Sequence, residues 1–81
     1  MTDDDIRKLA IDKLGAIAPE ADFDILEDDE ELREALDLDS MDFLNFITAL
    51  HEATGVDIPE QDYGELETLD GVVAYLSGKG A

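Results

Sequence analysis

Apolar residues at Ile6, Leu9, Ala10, Leu14 and Ile17, with Lys13 on the same face, recur at intervals of three and four and so stripe one side of a helix. Thr2 or Asp3 can cap its start, Asp3 to Asp5 complement the positive end of its dipole, and Pro19 forbids much continuation, so this first helix should end near Ala18. A second helix is predicted from Asp39-Ser40 to about Thr54. Asp39 can serve as N-cap with Asp42 as the carboxylate of a capping box, and Gly55 supplies the left-handed residue beyond the end. On a wheel of about 100° per residue, Phe43, Phe46, Ile47, Leu50 and Ala53 form one core-facing arc, whereas Met41 and Leu44 fall outside it, toward water. Val56-Asp57-Ile58-Pro59 reads as extended because Ile58 precedes proline, and a short helix is expected over Pro59 to Tyr63. Thr68-Leu69-Asp70 opens the last helix, with Leu69, Val72, Val73 and Leu76 on its apolar face and Gly78-Lys79-Gly80 at its end.

The acidic connection from Pro19 to Asp39 carries Phe23, Ile25, Leu26, Leu32, Leu36 and Leu38, all expected to turn inward. Structureless connections beyond about 12 to 15 residues are uncommon in compact domains, so a turn of helix is expected around Glu30 to Ala35, anchored by Leu32 and Leu36. No period-two run is long enough for a strand pair. The fold class is therefore all-α: a small bundle of three main helices plus one short helix, with a long loop between helices one and two. With 81 residues the chain can bury one core, so residues 1–81 are expected to form a single domain.

Charge narrows the function. Five Lys and Arg against 23 Asp and Glu give a net charge of −18, which repels nucleic acid and anionic lipid alike. Hydrophobic residues at 44% exceed what a disordered acidic tail carries, so burial can offset the entropy of folding. The absence of cysteine removes disulfides, thiolate metal sites and thiol nucleophiles, and fits a cytoplasmic setting. The N-terminus is acidic where a targeting peptide would be basic, and no apolar run approaches the roughly 20 residues of a membrane span, so neither is expected. With one His, no Cys and no Trp, little is left for acid–base or nucleophilic chemistry, and the chain reads as a non-catalytic protein. The run Glu27-Asp28-Asp29-Glu30-Glu31 lacks the alternating ligands and central glycine of a calcium loop, and no metal site is expected. His51 reads as a surface helix residue, and Tyr63 and Tyr75 as packing residues.

Ser40 lies between two aspartates at the start of the second helix, in Leu36-Asp37-Leu38-Asp39-Ser40-Met41-Asp42-Phe43-Leu44. A hydroxyl there is exposed, and a phosphate attached to it would lie near free backbone N–H groups and the positive end of the helix dipole. Capping a backbone N–H is the simpler use for such a serine. The segment resembles the attachment site of acyl carrier proteins, in which Asp-Ser-Leu or Asp-Ser-Met opens the second helix. The likeness covers nearly the whole chain, including the first helix, the long loop, Val56-Asp57-Ile58-Pro59 and the closing Val72-Val73-Ala74-Tyr75-Leu76. The resemblance implies that Ser40 carries 4′-phosphopantetheine, donated by coenzyme A through a phosphopantetheinyl transferase that holds the Mg²⁺. It also implies that the arm's thiol carries acyl groups as thioesters to partner enzymes, in fatty-acid-like or specialised acyl metabolism. A chain without cysteine would thus work through an imported sulfur.

Between Glu34 and Ser77 there is no Lys or Arg, so the second helix and the segments C-terminal to it present one sign of charge. Such a field speeds encounter with acyl-loading and acyl-processing enzymes that carry basic docking patches, with Asp39 and Asp42 as charged contacts and Met41 and Leu44 as apolar ones. The carrier is expected to act as a monomer. The chain departs from the common carrier pattern at Asp37, where glycine is usual, and at Phe43, Asn45 and Phe46; a large Phe46 narrows the space between helices and favours short cargo or cargo left outside. Two other readings remain open: an aminoacyl or peptidyl carrier, whose usual Gly-Gly before the serine is missing here, and an acidic interaction protein that needs no modification.

Overall fold

A computed structural model describes all 81 residues, Met1–Ala81. It contains helices α1 (Asp3–Ile17), α2 (Leu32–Ala35), α3 (Ser40–Thr54) and α4 (Leu69–Gly78), with a 3₁₀ helix over Glu60–Leu66 between α3 and α4. There is no strand. The three long helices stand where the periodicity places them, the expected helical turn in the loop is α2, and the short helix after Pro59 extends three residues past Tyr63.

Thr2, rather than Asp3, caps α1: its hydroxyl accepts from the Asp5 N–H at 3.1 Å, and the Asp5 carboxylate accepts from the Thr2 N–H at 3.3 Å. Those bonds to Thr2 hold the Asp5 carboxyl below the usual carboxylate range. Ile6, Ala10 and Leu14 present a fully buried stripe to the other helices, chiefly α4 and α3. They join Phe43, Phe46, Ile47 and Leu50 of α3 and Leu69, Val72, Tyr75 and Leu76 of α4 in one cluster that contains no buried polar or charged residue.

Two expectations fail. Ile25 is 74% exposed, whereas its neighbour Leu26 is buried. The two are adjacent in a turn whose Asp22 carboxylate accepts the Asp24 N–H at 3.0 Å, so their side chains leave the backbone in different directions and only one reaches the core. Ala53 is exposed although it shares the arc of Leu50, because it lies on the last turn of α3, just before the chain departs at Gly55 (φ 74°).

The loop is tied to the bundle through backbone and charge. Arg7 donates two hydrogen bonds to Asp28 Oδ1, at 3.1 and 2.7 Å, and that partner raises the guanidinium pKa further. The Asp28 carbonyl accepts the Asp70 N–H at 3.0 Å, and the Leu32 N–H donates to the Glu67 carbonyl at 2.7 Å. The acidic run is thus tied to α1 and to the segment that opens α4, and no group of three or more potential ligands gathers there. Gly71 is required where α4 begins, since a Cβ there would strike the Glu65 carbonyl oxygen.

Tyr75 does more than pack. Its hydroxyl donates to Asp62 Oδ2 at 2.7 Å, fastening the 3₁₀ helix to α4, and this bond, with burial and the nearby carboxylates, raises the phenol from 10.0 to about 12. A raised pKa means that the neutral phenol's contribution to stability is complete below pH 10 and lost as pH climbs through about 12. Alkaline absorbance titration should therefore show one phenolate forming late, and Asp62→Asn should bring that transition back toward the ordinary tyrosine range.

Candidate functional site

The turn that delivers Ser40 is set by α2. The Leu36 N–H donates to the Leu32 carbonyl at 3.0 Å and the Leu38 N–H reaches back to the Arg33 carbonyl at 2.9 Å, with Asp37 between them at φ 54°. This is a Schellman closure with aspartate in the left-handed position that glycine normally takes. It turns the chain so that Leu38 enters the core and Asp39, extended at φ −85° and ψ −178°, starts α3. The turn is therefore kept despite the unusual residue, at some cost in backbone strain. Asp37→Gly should raise stability by about 1 kcal/mol, read as a higher urea midpoint at unchanged slope.

Asp39 is the N-cap: its Oδ1 accepts the Asp42 N–H at 2.8 Å, and Asp42 Oδ2 accepts the Asp39 N–H at 3.4 Å. Ser40, the first residue of α3, is exposed, and its hydroxyl takes no part in capping. Its one partner is Arg33, whose Nη2 donates to Oγ at 3.3 Å. The Arg33 guanidinium also sits 5.9 Å from the centre of the Phe43 ring. Beside them opens a cleft of about 380 Å³ lined by Arg33, Ser40, Phe43, Leu44, Glu60 and Tyr63. Phe43 holds its wall, with its ring 6.4 Å from Tyr63 in an edge contact and 6.4 Å from Phe46 in a tilted one.

The residues singled out by sequence lie together on the first turns of α3. Asp39 and Ser40 are exposed, Asp42 is half-buried, and Met41 and Leu44 are 64% and 42% exposed, Leu44 on the rim of the cleft. His51 lies about 16 Å along the helix from Ser40 by the ordinary rise per residue, with Nδ1 2.8 Å from the Val56 carbonyl, so it belongs to the far end of α3. No base is aimed at the Ser40 hydroxyl. Sequence reasoning missed Arg33, Glu60 and the cleft itself. The available signal was that Arg33 is the sole Lys or Arg between Lys13 and Lys79.

An exposed serine hydroxyl, a guanidinium beside it and a cleft with apolar walls leading away are chemically suited to carrying a phosphorylated group. Comparison with known proteins agrees with that chemistry. A family model described as "Phosphopantetheine attachment site" matches residues 4–76. The acyl carrier protein of Campylobacter lari is 30% identical over 73 residues, covering 90% of this chain and 88% of that protein. That of Rubrobacter xylanophilus is 32% identical over 75 residues (88% and 82%), and that of Chlamydia caviae 30% over 74 residues (91% and 90%).

Proposed function

From the premise that the chain belongs to the phosphopantetheine-attachment family and is an acyl carrier protein, a non-catalytic carrier, we propose that Ser40 is its attachment residue. The observation that carries this reading is that Ser40 is spared from capping: Asp39 does that work, so the serine oxygen is exposed, touched only by Arg33, at the one Asp-Ser-Met-Asp start in the chain. The residues present fit the group. Ser40 offers the ester oxygen, the Ser40 and Met41 N–H groups lie outside the intrahelical ladder, and the cleft beside them has room and apolar walls for the arm. When attached, 4′-phosphopantetheine supplies the thiol that carries acyl groups as thioesters.

Ser40 has no base at hand, so the base and the Mg²⁺ belong to the phosphopantetheinyl transferase. Residues 1–81 act as one carrier unit, because the buried side chains of all the helices fall in a single cluster. Phe46, fully buried at the middle of α3, occupies the interior, which favours short acyl cargo or cargo held outside the bundle, in fatty-acid-like or specialised acyl metabolism. The test is incubation with coenzyme A and a transferase, followed by intact-mass and peptide analysis. The arm should appear on the peptide containing Ser40; an arm on any other residue ends the reading.

Partner enzymes are proposed to dock on Asp39, Met41, Asp42 and Leu44. Two exposed apolar side chains set among carboxylates match a basic surface with an apolar centre. Because Asp42 also belongs to the capping box, Asp42→Asn keeps the hydrogen bonding and serves as control for Asp42→Lys. Charge reversal should slow transfer to a partner by about tenfold at low ionic strength, with the gap narrowing as salt is added.

A further inference from the structure

Basic residues are scarce enough that the partner of each one matters. Arg7, Lys8 and Lys13 lie 2.7, 3.1 and 3.9 Å from carboxylates of Asp28, Asp4 and Asp12. Lys79, at the end of α4, has no ion pair and places Nζ 5.5 Å from the centre of the Tyr75 ring; Arg33, beside Ser40, likewise makes no ion pair although Asp and Glu outnumber Lys and Arg 23 to 5. Its side chain runs instead to Ser40 Oγ and the Phe43 ring, donating one hydrogen bond and leaving most of its five N–H groups free on the wall of the cleft.

We propose that Arg33 is a positioning residue that clamps the phosphodiester on Ser40 and aims the arm into the cleft along Phe43, Leu44 and Tyr63; this rests on Ser40 being the attachment residue. The non-bridging oxygens of that ester lie one bond beyond phosphorus, which is itself bonded to the Oγ that Nη2 already reaches at 3.3 Å. A guanidinium presents its N–H donors as a planar fork that matches two such oxygens, which an ammonium cannot do. The surroundings need a cation. Asp37, Asp39 and Asp42 flank the serine and Glu60 lines the cleft, so the added anion would otherwise sit among carboxylates alone. Arg33 is also held in place by the main chain, since its carbonyl closes the turn through the Leu38 N–H. That bond is independent of the side chain, so substitutions at this exposed position leave the turn intact.

The test uses ¹⁵N-labelled protein before and after loading by coenzyme A and a transferase, with Arg33→Lys and Arg33→Gln alongside. In the native chain the Arg33 Nε–Hε resonance should shift on loading and its exchange with water should slow. The ³¹P resonance of the attached arm should move in Arg33→Gln toward that of a free pantetheine phosphodiester, with Arg33→Lys between. An Nε–Hε signal unmoved by loading, with a ³¹P resonance identical in all three chains, overturns the clamp while leaving the attachment residue standing. Absence of the arm from the Ser40 peptide overturns both.

Discussion

Ser40→Ala is expected to abolish attachment of the arm completely while leaving thermal stability within about 0.5 kcal/mol of the native chain. The two halves of that result have one local cause. The cap of α3 is Asp39, bonded to Asp42 in both directions, so deleting the neighbouring hydroxyl removes no helix-terminal hydrogen bond. The chain itself loses one exposed contact from Arg33 at 3.3 Å, and alanine is a good helix former at the position. By contrast, Asp39→Ala should lower stability by about 1 kcal/mol, the usual cost of a lost cap. Intact mass after transferase treatment, read beside a circular-dichroism melt, checks both statements at once. An alanine chain that still gains the arm sinks the attachment residue; one that melts far below the native chain would mean that Ser40 is structural after all.

Local rules made α1, α3 and α4 legible because each has a periodic stripe and a side-chain cap, and these signals agree. Thr2, Asp39 and Thr68 all cap the helices they precede. The Asp-Ser-Met-Asp start was legible for the same reason: both of its aspartates are consumed in a bond pattern that sequence spacing alone specifies. Ile25 was not legible, since a loop residue's direction depends on which neighbour, here Leu26, reaches the shared core first. Arg33 escaped notice for a different reason. Its nearness to Ser40 depends on Asp37 adopting the left-handed conformation, and a non-glycine residue gives no local warning of that turn. The cleft likewise depends on how the 3₁₀ helix carries Glu60 and Tyr63 across α3, a long-range arrangement that no periodicity encodes.

Phe46→Ala is expected to leave most of the chain unfolded at 25 °C in low salt. Phe46 is fully buried at the centre of α3, with its ring against Phe43, and removing such a ring usually costs about 3–5 kcal/mol. Cores in chains of about this length rarely supply more than about 3–5 kcal/mol of net stability, so the loss is comparable with everything available. Self-repulsion at a net charge of −18 leaves little reserve. Phe46→Leu keeps much of the volume and should fold with a lowered melting point, about 1–2 kcal/mol less stable. Far-UV circular dichroism on both variants decides the matter. If the alanine chain melts within a few degrees of the native one, the helices have collapsed around the gap and Phe46 is not the central filler of the bundle. If the leucine chain folds and accepts the arm while the alanine chain does neither, the attachment site depends on the core for its shape. The hydroxyl of Ser40 is then presented by packing several residues away as much as by its own capped turn.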